Sequence, residues 1–356
     1  MHKIFPYFYR FRIKSIRMKY YLLLLLMSFS LLLSAQIGGD AVFKFLNLSI
    51  SAKQAGLGGK VFTGLNNDIF QPAYNPATID STMDNHLGAN YSSYLSTINY
   101  GNMAYARTLK KYGTLYAAIS YVNYGSFEYA SEDGTRNGTF GASESAVILG
   151  YAYTIPNSKF KVGLNTKFIL SSLENYSSSG IAGDIGLLYS DDEKGVHSGL
   201  VFRNFGTQIT TYQGTVEPLP FEIDFTFAKT FLHAPFKWYI TLENLQKPKI
   251  AFVNEAHNTQ DPNGNEIQEN ITVTDHIFRH VILGVELFPR KRFHVTAGYN
   301  FRRAAELGLK DAKFVSAINF GIGLKLRKFE VNYGYGNYNY ASNASYFSVA
   351  VNLNEF

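Results

Sequence analysis

An alternation of side chains, repeated in fourteen segments and cleanest late in the chain, constrains this chain more than any other feature. The segments fall near 86–94, 100–109, 112–124, 139–154, 159–171, 179–190, 195–205, 219–231, 236–246, 278–288, 292–302, 314–325, 328–337 and 345–354. Phe293, Val295, Ala297, Tyr299 and Phe301 alternate with His294, Thr296, Gly298, Asn300 and Arg302. Phe329, Val331, Tyr333 and Tyr335 alternate with Glu330, Asn332, Gly334 and Gly336. A period of two puts successive side chains on opposite faces of a strand. One face is therefore apolar and aromatic, the other small or polar. The last stretch, FSVAVNLNEF, keeps the period from Phe347 to Leu353; Phe356 falls on the other parity, which calls for a bulge or a frayed end there.

A soluble sandwich also alternates, so the links between segments decide. After every second segment the link is short: KK, IPNSK, DDEKG, LHAP, PRKR and LRK. The links between these are mostly longer and polar, and the longest runs from Lys247 to about Ile277. Short turns at one end, longer loops at the other and an even strand count are the plan of an outer-membrane barrel. Such a barrel must close, because an open edge in lipid leaves backbone groups unpaired. The last segment is expected to seal against the first. The expected fold is all-β, a transmembrane outer-membrane β-barrel of about 14 antiparallel strands over residues 86–356.

The N-terminus agrees with export. Six basic residues, Lys3, Arg10, Arg12, Lys14, Arg17 and Lys19, precede the apolar run YLLLLLMSFSLLL and then Ser34-Ala35. This reads as a signal peptide over residues 1–35, cut after Ala35. Met18 followed by Lys19 is a second start that would open a signal peptide by itself. The run is too short for a spanning helix, which needs roughly 20 residues. Taking the leader away leaves 27 basic and 27 acidic residues, so the formal charge of +6 belongs to the leader and gives no reason to invoke nucleic acid. The chain has 29 Phe and 26 Tyr but one Trp, and its 17% charged residues lie below the roughly 25% usual in soluble domains. With no cysteine, a lipid anchor on cysteine is excluded.

Residues 36–85 do not alternate, yet they are apolar enough to need burial. They are expected to fold into the barrel mouth as a hatch, with AGLGG as a tight backbone passage. Polar residues expected in the lumen include Lys161, Lys167, Asp184, Glu222, Asp224, Glu243, His280, Glu286, His294, Arg302, Lys325 and Glu330. Given a tight turn at Pro289–Arg292, Glu286 would oppose His294; Lys325 would pair with Glu330. A carboxylate beside a histidine can orient a general base, but opposite charges in a barrel lumen more simply neutralise one another. No serine stands out as a partner, the histidines lack metal-ligand spacing, and QDPNGNE at 260–266 lacks the ligand order of a calcium loop. No catalytic residue, cofactor or metal site is expected.

The segment NNDIFQPAYNPATID resembles the N-terminal region of the FadL-like outer-membrane barrels, in which an Asn-Pro-Ala element sits in a plug within a fourteen-stranded barrel. Asn75, Pro76 and Ala77 match that element. A closer resemblance is to the PorQ family of the type IX secretion system. It is carried by GGDAVFKFLNLSISAKQAGLGG at 38–59, VNYGSFEYASEDG at 122–134, GTFGASE at 138–144, RNFGTQITTY at 203–212, EPLPFEIDFTFAKTFLHAPF at 217–236 and RHVILGVELFPRKRFHVTAGYNFRR at 279–303. The resemblance implies a non-catalytic anchor in the attachment complex that puts exported cargo on the cell surface. It implies as partners a PorZ-like surface protein that presents lipopolysaccharide, with PorU and PorV-like components nearby. The loops after segments 3, 7 and 9 are long enough to offer the platform. A FadL-like diffusion channel for hydrophobic compounds is the competing expectation, and an outer-membrane lipid hydrolase a more distant one.

Overall fold

In the computed structural model the alternating segments form fourteen antiparallel strands that close into one barrel. The residues described are 41–65, 68–94, 97–130, 136–231, 233–253, 258–260, 266–267, 269–308, 317–339 and 342–356; the expected leader lies outside them. The strands are β1 His86–Tyr94, β2 Ile98–Leu109, β3 Gly113–Ala130, β4 Arg136–Thr154, β5 Phe160–Leu173, β6 Tyr176–Asp191 and β7 Val196–Thr210. They continue as β8 Glu222–Thr230, β9 Phe236–Leu242, β10 Val281–Leu287, β11 Phe293–Asn300, β12 Ile318–Lys325, β13 Phe329–Asn339 and β14 Ser342–Asn352. β14 seals against β1, from Asn352 opposite His86 to Ser345 opposite Ser93. Every strand thus has a partner on both sides, as lipid requires.

Alternation gives the wall its two faces. Leu149, Phe168, Leu170, Ile185, Phe320 and Ile322 point outward and are exposed. Their sequence neighbours, among them Ile148, Lys167, Ile169, Asp184 and Gly321, point in. The wall is uneven in height. β3 and β4 have 18 and 19 residues, whereas β9 and β10 have seven each. The link after β5 is only Glu174–Asn175, so long connections do not stand above every strand pair. QDPNGNE lies partly outside the described residues; its ends, with Thr259 and Ile267, form a two-residue hairpin.

The molecule's core is the lumen itself. Residues 41–85 form a helical turn, α1 (Ala52–Gly56), and short 3-10 turns. Ser51 starts α1 by accepting the Gln54 N–H, which satisfies one of the donors a helix start leaves over. Ile50, Phe62, Ile69, Phe70, Tyr74, Ile79 and Met83 pack with Ala104, Ala106, Tyr116, Ala118 and Ile148 of the wall. Full burial of one such large apolar side chain contributes about 1.5–3 kcal/mol. At the far end of the chain, β14 stops at Asn352 and Leu353–Glu355 turn as a 3-10 helix. Phe356 then meets Phe329 edge-on at 5.9 Å, which accounts for its break in parity.

Candidate functional site

The inner segment meets the wall backbone to backbone, at places where the strands carry glycine. Asn75 is extended, accepts the Ala77 N–H at 3.1 Å and so starts the turn Pro76–Thr78; Pro76, lacking an N–H, suits the first position of that turn. This turn sits against Gly163 of β5 and Gly186 of β6, which are direct cross-strand partners. A Cβ on Gly163 would overlap the backbone of Pro76 and Ala77, and one on Gly186 the Asn75 side chain. Gly199 of β7 likewise leaves room for Thr63 and Asn75. Across the lumen, Gly298 leaves room for Leu57 and Gly58, and Gly334 for Ala52. Gly58 and Gly59 have φ of 104° and 110°, which side chains disfavour, so AGLGG is a tight backbone passage.

Charges of the inner segment are matched by charges of the wall. Lys53 on α1 lies 2.8 Å from Glu286 of β10, and Tyr239 of β9 donates to the same carboxylate at 2.6 Å. Lys60 reaches two carboxylates, Glu222 at 2.8 Å and Glu243 at 2.9 Å. Arg203 of β7 lies over the Tyr74 ring, 3.3 Å from its centroid, and donates to the Leu46 carbonyl at 2.8 Å. Tyr74 in turn donates to Asp224 at 3.2 Å. Lys161 pairs with Asp80. Asp68 accepts from Ser51 at 3.1 Å and from the Phe70 N–H at 2.9 Å, yet burial pushes its carboxyl up to about 6. Such pairs are weak as stability devices, but removing one partner leaves the other as an uncompensated buried charge.

Of the polar residues expected in the lumen, Lys167, Asp184, Glu222, Asp224, Glu243, Glu286 and His294 are buried there. Lys167 and Asp184 pair with each other at 2.8 Å. Lys325 and Glu330 are cross-strand partners, 3.9 Å apart at a rim where Lys325 stays exposed. Two expectations need correction. Glu286 stands opposite Thr296, not His294, because the turn is two residues longer than a tight one and Leu287 pairs with Val295. Arg302 is not on a strand: β11 ends at Asn300, whose side chain accepts the Arg303 N–H and starts the helix α3 (Phe301–Leu307). There Arg302 pairs with Glu306 at 3.0 Å. Sequence reasoning missed Lys53, Lys60, Arg203 and Tyr74. Lone basic residues in a segment that needs burial were the available signal for the first two.

Between the inner segment and β2–β4 lies a cavity of about 20 Å³, bordered by Leu46, Ile50, Ala73, Tyr100, Val122 and Ile148. That is room for roughly one water. Chemically the arrangement does one thing well, which is to hold a segment in place by shape and charge.

No protein-family model matches the sequence, and no curated protein matches it. Solved structures match it in fold. A deltaS2 mutant of the TodX monoaromatic hydrocarbon channel is 12% identical, with a TM-score of 0.50, over 84% of this chain and 96% of the other. The toluene transporter TbuX of Ralstonia pickettii is 11% identical, with a TM-score of 0.49, over 86% and 98%. A FadL homologue of Pseudomonas aeruginosa is 9% identical, with a TM-score of 0.45, over 85% and 97%. At such identities the likeness is one of fold, the FadL-like outer-membrane barrel, and function must be argued from the site.

Proposed function

We propose that this chain is a closed, non-catalytic outer-membrane barrel that holds a surface protein at the cell exterior. The packing of the inner segment against the wall carries this reading. A pocket for a small organic ligand has about 300–1,000 Å³; the cavity beside the inner segment has about 20 Å³, and a hollow of about 360 Å³ lies by Phe140, Leu173, Tyr176 and Tyr212, at strand ends and away from the inner segment. Residues 1–35 serve as the leader, and residues 36–85 act as the hatch, latched by Asn75, Pro76 and Ala77 on the glycines of β5 and β6. The stretches that resemble the PorQ family supply the partner: a PorZ-like surface protein docked on the outer loops, near PorU and PorV-like components, where cargo is joined to lipopolysaccharide.

A diffusion channel for hydrophobic compounds is the second reading. It is favoured by the fold shared with a monoaromatic hydrocarbon channel, and it requires the inner segment to leave its seats. Two measurements on one preparation separate the readings. The tagged protein is extracted from outer membranes in mild detergent and its bound chains identified, and the purified barrel in liposomes is assayed for toluene uptake. A stoichiometric surface protein with no uptake is the expected result. A solitary barrel that admits toluene would overturn the anchor in favour of the channel.

A further inference from the structure

On one side of the barrel the strands have little length to spare for the membrane they cross. β9 and β10 have seven residues each, and two further backbone bonds extend their ladder, one from the Glu243 N–H to the His280 carbonyl at 2.9 Å and one from the Phe288 N–H to the Pro235 carbonyl at 2.6 Å. At a rise of about 3.4 Å per residue and a tilt of roughly 40°, nine residues climb about 23 Å, against an apolar band of about 25 Å. β5, with 14 residues, has length to spare.

The connection above β9 and β10 supplies apolar surface at this level. It contains the short helix α2 (Val273–Phe278). Val273, Ile277 and Phe278 are 75%, 57% and 52% exposed, and Phe252 is 54% exposed. Val273 and Ile277 stand four residues apart and so share a helix face. Continuity with the wall places these side chains on the lipid side. Tyr299 has the outward parity of Phe293, Val295 and Ala297. Its ring meets Phe301 at 4.8 Å, and Phe301 meets Phe278 at 5.3 Å, so rings lead from the outer face of β11 up to α2. One charged side chain of the connection is buried beneath. Arg279, 3% exposed, donates to the Phe252 carbonyl at 2.9 Å and lies 3.8 Å from Glu306 and 4.0 Å from Glu269. The Thr272–Asp275 capping box fixes where the helix begins.

We propose that α2, with Phe252 and Phe301, is an interfacial segment that inserts apolar side chains into the outer leaflet and completes the lipid-facing wall above β9 and β10. Its ligand is the acyl region of a lipid surface. An amphipathic turn lying in the interface gains from each buried apolar group, and a wall shorter than the local hydrocarbon otherwise thins the bilayer at a cost.

The chain has no cysteine, so single-site labels are clean. Val273→Cys, Ile277→Cys and, as reference on the link after β7, Gln213→Cys are each labelled with an environment-sensitive fluorophore. The full barrel is reconstituted in phosphatidylcholine vesicles, and heat-modifiable gel mobility verifies folding. Two labelled positions on α2 guard against the failure of one variant. Lipids carrying nitroxide on the acyl chain should quench the labels at 273 and 277 about two-fold or more, while aqueous iodide quenches only the label at 213. Iodide quenching at both α2 positions without nitroxide quenching would overturn the assignment and make α2 a solvent-facing or protein-docking surface. Such a failure would leave the anchor function untouched, because lipid contact by α2 depends on the barrel fold alone.

Discussion

Gly163 shows how one missing methyl group can fix the position of a whole segment. Its neighbours in the lumen are the backbone atoms of Pro76 and Ala77, not the ends of pliable side chains. An added Cβ could be accommodated only by moving the turn, and crowding of this kind costs about 1–3 kcal/mol. Gly163→Ala should therefore lower the unfolding free energy of the barrel, read from urea titration in micelles, by that amount and expose residues 41–85 to protease. Gly141→Ala is the control: its Cβ would lie 3.8 Å from the Gly125 carbonyl oxygen, an ordinary contact, and φ there is permissive. Equal losses from the two substitutions would mean that the seat at Gly163 has no special role and that glycine-to-alanine changes weaken any strand of this wall.

Between the inner segment and the wall, the element-scale device is Lys60, which is held by carboxylates from two strand ends. Removing its charge leaves Glu243 and Glu222 buried, with Arg203 at 3.4 Å from Glu222 as a remaining partner. Losing one member of a buried charge cluster costs about 3–5 kcal/mol. Lys60→Met should thus loosen the inner segment, seen as faster proteolysis within 41–85 and a measurable ion conductance, while the heat-modifiable mobility of the barrel persists. Lys60→Arg, which keeps the charge, should restore protection. Unchanged protection in Lys60→Met would assign the hold to the glycine seats alone. The strands themselves were legible in the sequence because each writes its own faces: Phe293 to Phe301 alternates whatever lies inside. Partners across the lumen were not, since Lys53 and Glu286 are 233 positions apart and no period links them. The same limit explains Glu286 and His294. Both face inward as parity demands, but a turn two residues longer shifts the register without changing the face, so alternation could not reveal it.

At the scale of the whole molecule, thirteen ladders of the barrel join successive barrel strands, and one joins the first to the last. Hairpins can form as the chain is laid down; the β1–β14 ladder needs all the others first, since it brings together residues more than 250 positions apart. It is also the ladder whose absence lipid punishes most, because it would uncover two strand edges, each unpaired group costing several kcal/mol in hydrocarbon. Reclosure without β14 is blocked by direction. β1 and β13 both run from the short-turn end to the long-loop end, so pairing them would give a parallel ladder in a barrel built on antiparallel ones. A chain truncated before Ser342 should accordingly give no heat-modifiable species on dilution from urea into lipid vesicles, although the hairpins before it are complete. A synthetic peptide of residues 342–356 should restore part of that species by adding the missing strand to both edges at once. Phe356→Ala provides the contrast. Its ring lies beyond the ladder, against Phe329 and under Lys328, and its loss should cost about 1 kcal/mol or less and leave closure intact. If the truncated chain folded unaided, closure by the last strand would not be what completes this barrel, and the inner segment, packed against walls on both sides of the lumen, would be the element that holds it together.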